Sequence, residues 1–171
     1  PPLTEGTYGR LWARLDGYAR RRWSVTADVQ AGEGKSTARL YGQIRQELGS
    51  RRGATLDVKA GIATLPALPQ SLFRLGGVST VRGFEYGTVR GQAFWVARLD
   101  VAPIRARLRP VVFADAGQAA LAADLFSSKA LIGAGVGLSV FNGVLRLDLS
   151  HPISPDSGGK VRFDIVVRAA R

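Results

Sequence analysis

The sequence predicts an all-β fold, an antiparallel transmembrane β-barrel or half-barrel of about 8 to 9 strands with one long extracellular loop. Three observations predict it. Segments of about ten residues alternate apolar and polar side chains, which is the period of a strand and not of a helix. Glycine supplies 21 of 171 residues, a share that suits turns and closely packed strands. The polar positions carry Arg with Asp, whereas Lys occurs only at 35, 59, 129 and 160; a solvated sheet face would be mixed and Lys-rich. Alternation alone also fits a soluble sandwich, so the occupants of the polar face decide between the two.

The first candidate strand, 7–19, is the least regular. Leu11, Ala13 and Leu15 share one face, but Tyr8, Trp12 and Tyr18 fall with Arg10, Arg14 and Asp16 on the other. In 23–31, Val25, Ala27, Val29 and Ala31 oppose Ser24, Thr26, Asp28 and Gln30. In 36–48, Ala38, Leu40, Gly42, Ile44 and Leu48 oppose Thr37, Arg39, Tyr41, Gln43, Arg45 and Glu47. After a Gly49–Gly53 turn, Leu56, Val58, Ala60 and Ile62 oppose Thr55, Asp57 and Lys59. In 92–102, Trp95, Ala97, Leu99 and Val101 point outward, with Arg98 and Asp100 inward. In 108–118, Val112, Ala114 and Ala116 oppose Arg109, Phe113 and Asp115. A short helix is expected over 119–126. In 130–141 the apolar face of Ile132, Ala134, Val136, Leu138 and Val140 backs a nearly bare face of Gly133, Gly135, Gly137 and Ser139. Asn142-Gly143 is a two-residue hairpin signal leading into 144–151, where Leu145, Leu147 and Leu149 oppose Arg146, Asp148 and Ser150. The last, 160–169, sets Val161, Phe163, Ile165 and Val167 against Arg162, Asp164 and Arg168.

Arg-x-Asp recurs at 14/16, 98/100, 146/148 and 162/164, each pair on one face because the spacing is two. A lumen charge ladder of Arg98, Asp100, Arg146, Asp148, Arg162 and Asp164 is therefore expected. The planar fork of Arg suits such a confined, carboxylate-rich interior.

The chain carries 24 Lys+Arg against 13 Asp+Glu, a net charge of +11, which invites a nucleic-acid reading. Its placement argues otherwise. The connections fall into a short set and a long set, and the short set holds Arg20, Arg21, Arg22, Arg51, Arg52, Arg105 and Arg107. Short turns on one rim and long loops on the other is the pattern of an outer-membrane barrel, whose short turns are periplasmic. Those seven arginines are expected to contact anionic lipid headgroups at the periplasmic rim. Among the short turns only Arg20–Arg22 is followed by an aromatic residue, Trp23, so no basic-aromatic surface for nucleic acid is expected.

Cysteine is absent, and His151 is the only histidine, so no catalytic site, metal site or cofactor is expected. Gly34-Lys35-Ser36 matches the end of a phosphate-binding loop, but the first glycine would have to stand at Val29. Gly133 to Gly137 lacks the dinucleotide-binding spacing, since position 138 is Leu. No stretch reaches the roughly 18 to 20 apolar residues of a spanning helix.

The stretch 65–91 is too long for a simple hairpin and too rich in glycine and charge for a core, so it is expected to be functional. Leu75-Gly76-Gly77 through Val81-Arg82-Gly83-Phe84 resembles the signature loop of the BamA/TamA superfamily of outer-membrane assembly and secretion barrels, which includes two-partner-secretion transporters. Phe113-Ala114-Asp115-Ala116-Gly117 is similar to that superfamily's F-x-D-x-G strand motif. Gly133-Ala134-Gly135-Val136-Gly137 and Gly143-Val144-Leu145-Arg146-Leu147-Asp148 resemble its closing strands. Three motifs in order cover 73–169; residues 1–64 add compatible strands only.

The resemblance implies a loop folded back into the lumen and locked there by Arg82, Gly83, Phe84 and Asp115, with Asp100 as the second candidate acid for Arg82. Gly133, Gly135 and Gly137 then offer a side-chain-free strip for close approach of the loop backbone. Full members of the superfamily have more strands and carry periplasmic POTRA domains. Here residues 1–171 read as one transmembrane domain without POTRA, and a truncated barrel, or one completed by a second chain, is expected over a sealed eight-stranded one. Such a small barrel is already filled by its own side chains. The chain also ends Arg168-Ala169-Ala170-Arg171, without the superfamily's usual terminal aromatic.

The expected function is insertion or translocation of client outer-membrane or secreted polypeptides at a bacterial-type outer membrane, with the lipid bilayer as the other partner. The alternatives are a passive structural barrel or membrane anchor of the same fold, and the barrel portion of a larger surface lipase or secretion protein.

Overall fold

The computed structural model describes residues 8–18, 22–32, 35–48, 53–64, 72–102, 108–141, 144–154 and 160–167. Nine strands form one sheet: β1 (Tyr8–Tyr18), β2 (Arg22–Gly32), β3 (Lys35–Leu48), β4 (Gly53–Ala63), β7 (Ala93–Ala102), β8 (Leu108–Ala120), β9 (Leu131–Val140), β10 (Leu145–Pro152) and β11 (Arg162–Val167). Each pairs antiparallel with its neighbour in chain order. Two short strands, β5 (Phe73–Leu75) and β6 (Val89–Gly91), form a separate ribbon inside the long loop. The sheet is open, with β1 and β11 at its two ends.

β1 to β4 and β7 to β9 are 10 to 14 residues long, enough to cross a bilayer at the tilt of a barrel strand. The two faces differ as alternation requires. Leu40, Ile44, Ile62, Val112, Val136 and Ile165 on the outer face are exposed, whereas Thr26, Asp28, Asp57, Asp115, Asp148 and Ser150 on the inner face are buried. An apolar outer band continuous over nine strands suits lipid, because a water-soluble surface rarely carries a contiguous apolar patch of that size. No helix among the described residues is long and apolar enough to cross a membrane.

Opposed residues in an antiparallel pair share a face, so the registers align the inner side chains into rows across the wall. One row runs Arg22, Arg45, Asp57, Arg98, Asp115 and Gly133 from β2 to β9. β1 presents large exposed apolar side chains on both faces, with Leu11 and Leu15 on one and Trp12 on the other.

The helix expected over 119–126 is reduced to a single 3-10 turn, Ala122–Asp124. Ala119 and Ala120 extend β8 instead, opposite Phe94 and Ala93. The ladder supplies partners for backbone groups that alanine's intrinsic helix preference would otherwise have placed in a turn.

Candidate functional site

The long loop returns onto the inner face of the sheet. Its base is the β5–β6 ribbon, where Phe73 opposes Gly91 and Leu75 opposes Val89. Leu75, Val81 and Phe84 of the loop bury against Phe94, Val96, Ala119 and Leu131 of β7, β8 and β9, with Phe73 and Val89 packed alongside. The Phe73 and Phe94 ring centroids are 4.4 Å apart. Hydrogen bonds within the loop fix its turn: the Gly77 amide donates to the Phe84 carbonyl at 2.9 Å, and the Gly76 amide donates to Thr80 Oγ1 at 2.9 Å.

This packing carries Arg82 into the wall with 0% of its surface exposed. Its guanidinium grips Asp115 of β8 with both arms, Nε to Oδ2 and Nη2 to Oδ1, each at 2.6 Å. The Arg82 backbone amide donates to the same carboxylate at 3.0 Å. Nη1 reaches Asp100 of β7 at 3.0 Å and Asp148 of β10 at 3.4 Å. Beneath the guanidinium lies the ring of Phe113, 3.6 Å from Cζ to the ring centroid, a cation–π contact away from bulk water. Arg146 closes the cluster, bonding Asp148 at 2.7 Å and Asp100 at 2.9 Å. Arg98 lies 3.6 Å from Asp115.

Three arginines, Arg82, Arg98 and Arg146, thus meet three aspartates, Asp100, Asp115 and Asp148. The balance matters because an isolated buried charge costs far more than a matched set. Burial opposes the charge on Arg82, but the Asp115 hydrogen bond and the attraction of Asp115, Asp100 and Asp148 outweigh it and raise its pKa above the ordinary guanidinium value. A bidentate Arg–carboxylate pair fixes orientation as well as charge, so the loop is held in one pose.

Two glycines allow the approach. Gly83 has φ +92°, a backbone conformation in which any side chain is strained, and an added Cβ would lie 3.0 Å from the His151 carbonyl carbon. A Cβ at Gly133 would run into the Arg82 carbonyl oxygen. The glycine strip divides beyond this point. A Cβ at Gly135 would meet the Phe113 ring and the Leu149 carbonyl, and one at Gly137 would meet the Asp148 carboxylate. Only Gly133 touches the loop backbone; the other two make room for wall side chains that build the cage.

The charge ladder is shorter than its sequence pattern. Arg98, Asp100, Arg146 and Asp148 all join the cage around Arg82. Arg162 does not join them: it turns to Glu85 of the loop, Nη1 to Oε1 at 3.3 Å, in an exposed pair. Asp164 stands opposite Asp148, whose carboxylate already serves Arg146 and Arg82. Of the seven rim arginines only Arg22 lies within the described residues, at the start of β2 and exposed; Arg20, Arg21, Arg51, Arg52, Arg105 and Arg107 lie outside them.

Spacing placed several groups on the inner face but gave no sign of which partners they meet. Phe113 was expected inside only as one residue of a face, and Asp148 as a ladder member rather than a contact of Arg82. A second network lines β1 to β4: Arg10 and Arg39 both pair with Asp28, and Arg45 and Gln43 both bond Asp57, at 2.8 and 2.9 Å. The signal that finds these is register, since Asp28 opposes Arg39 and Asp57 opposes Arg45. The cage carboxylates are taken up by guanidinium groups, and no set of His, Asp and Glu side chains among the described residues is grouped to hold a metal ion.

A family model described as haemolysin secretion/activation protein ShlB/FhaC/HecB matches residues 55–140, half of the 171-residue chain. The match runs from β4 through the lumenal loop to the end of β9 and so spans Arg82, Asp100, Phe113 and Asp115. No curated protein matches the chain.

Proposed function

Because the chain belongs to the haemolysin secretion/activation protein family ShlB/FhaC/HecB, an outer-membrane β-barrel family of protein transporters, we propose that its sheet is part of the wall of a polypeptide-export pore and that its lumenal loop closes that pore. The single observation that carries the proposal is Arg82. A fully buried guanidinium shared among Asp100, Asp115 and Asp148 joins a loop to three separate wall strands. A loop needed only for folding would be served by the apolar contacts of Leu75, Val81 and Phe84. A buried ionic clasp adds little net stability over apolar packing of the same volume, but it fixes one pose and resists partial opening.

In this reading residues 1–171 act as one transmembrane domain. Arg82, Gly83, Phe84, Asp115 and Asp100 form the lock, Gly133 lets the loop seat, and the arginines of the short-turn rim face lipid headgroups. The partners are the bilayer, an unfolded client polypeptide and a further stretch of wall, from this or another chain, that covers the β1 and β11 edges. The secretion family matched favours export of polypeptides over insertion of client barrels.

The test is reconstitution of the whole protein into liposomes, with conductance and passage of an unfolded polypeptide as readouts. Export that rises when Arg82 is replaced by Ala supports a gated pore. A protein that assembles in the bilayer yet shows neither conductance nor export, with or without Arg82, is a membrane anchor.

A further inference from the structure

Arg98 is an anomaly inside the cage. Its side chain is 12% exposed, and its Nε is buried with no hydrogen-bond partner. The register places it between two acids, Asp57 of β4 on one side and Asp115 of β8 on the other. Asp57 is taken by Arg45 and Gln43. Asp115 gives both carboxylate oxygens to Arg82 at 2.6 Å, which leaves Arg98 at 3.6 Å, close enough for attraction and too far for a hydrogen bond. Arg39 and Arg45 also bury an unpartnered Nε, but each grips an aspartate through Nη2, whereas Arg98 stands off from Asp115 at 3.6 Å.

We propose that Arg98 is the stand-in partner of Asp115: when the loop leaves, Arg98 closes on the carboxylate that Arg82 vacates. The proposal rests on the reading of the loop as a lock. Without a substitute, release of Arg82 leaves the Asp115 carboxylate without its bidentate partner, at a cost to the open state. With Arg98 one short side-chain shift away, the anion passes from one guanidinium to another. Asp100 and Asp148 need no such exchange, because Arg146 already bonds both. Arg98 is therefore a positioning residue that matters most in the open state; with the loop docked it meets Asp115 only as a long ion pair at 3.6 Å. An ordinary neutralising arginine would instead matter equally with the loop in or out.

A double-mutant cycle on the whole protein in vesicles separates the two, using urea unfolding of wild type, Arg98→Gln, Arg82→Ala and the double variant. The expected result is asymmetric. With Arg82 present, Arg98→Gln leaves the folded-to-unfolded ratio nearly unchanged. With Arg82 absent, the same change lowers that ratio by roughly tenfold, the worth of one hydrogen bond to a charged group. Arg98→Lys in the Arg82→Ala background recovers part of the loss, since an ammonium reaches one oxygen but cannot fork. Equal costs in both backgrounds, or a larger cost with Arg82 present, overturn the proposal. Should Arg82→Ala fail to assemble, Arg82→Gln takes its place in the cycle. Single-channel recording then tests the lock on its own terms: with Arg82 intact, Arg98→Gln lowers the frequency of openings roughly tenfold. An asymmetric cycle in a protein that never opens rejects the lock while the exchange of partners stands.

Discussion

Replacing Arg82 by Ala is the most direct perturbation of the proposed lock, and the structure sets its size. The change removes the bidentate grip on Asp115, the contacts to Asp100 and Asp148, and the cation over Phe113. Asp100 and Asp148 keep Arg146 at 2.9 and 2.7 Å, so their cost is small. Asp115 is left with Arg98 at 3.6 Å. Breaking a buried ion pair costs about 3–5 kcal/mol, and partial cover by Arg98 argues for the lower end, about 3 kcal/mol. That lowers the ratio of docked to released loop by about a hundredfold. The loop is not expelled outright, because Leu75, Val81 and Phe84 stay packed on the wall. The chain contains no cysteine, so a Tyr86→Cys, Leu121→Cys pair can be spin-labelled uniquely; both positions are exposed. One narrow distance is expected with Arg82 present, and a second, longer population with raised channel conductance in Arg82→Ala. An exposed loop arginine, Arg90→Ala, is the control. If distances and conductance match the wild type, the clasp does not hold the loop and the reasoning fails.

The other perturbations follow from the same cage. Exchanging the charges, Arg82→Asp with Asp115→Arg, is expected not to restore loop docking in the label-distance assay, because a carboxylate at 82 faces Asp100 and Asp148. Gly133→Ala drives a methyl into the Arg82 carbonyl, so amide hydrogen exchange is expected to show the loop loosened by about 1–3 kcal/mol while the β8–β9 amides stay protected. Phe113→Leu keeps an apolar side chain but loses the ring face under Arg82, which is expected to weaken docking by about 1 kcal/mol in the same exchange experiment. Arg162→Gln breaks only an exposed pair with Glu85, so conductance is expected to match wild type and the unfolding free energy to stay within about 0.5 kcal/mol of it.

The strands were legible because their information is local. A period of two places Asp28, Asp57, Arg98, Asp115 and Asp148 on one face without any knowledge of the fold, and turns such as Asn142-Gly143 mark where the direction reverses. The loop was legible as a loop from its length and composition, but its return into the lumen only through its resemblance to a known motif. The β5–β6 ribbon, with strands of three residues, is too short to carry a period at all. The meeting of Arg82 with Asp148, 66 residues apart, depends on how the wall curves, which alternation does not encode. The same holds for Arg162, whose partner Glu85 lies on the returning loop rather than on a neighbouring strand. The alanines at 119 and 120 show the converse, a local preference overruled by a ladder partner.

The number of strands in the sheet has a geometric consequence. In a meander each strand reverses the last, so with nine in sequence β1 and β11 point the same way across the membrane. Joined to each other they would pair parallel, and a copy of this sheet rotated about the pore axis would also offer its β1 edge parallel to β11. An antiparallel seam on both sides requires an intervening piece with an odd number of strands. If the sheet is pore wall as proposed, whatever completes the ring differs from the arc described here, and the pore is asymmetric, with the loop rooted in one side only.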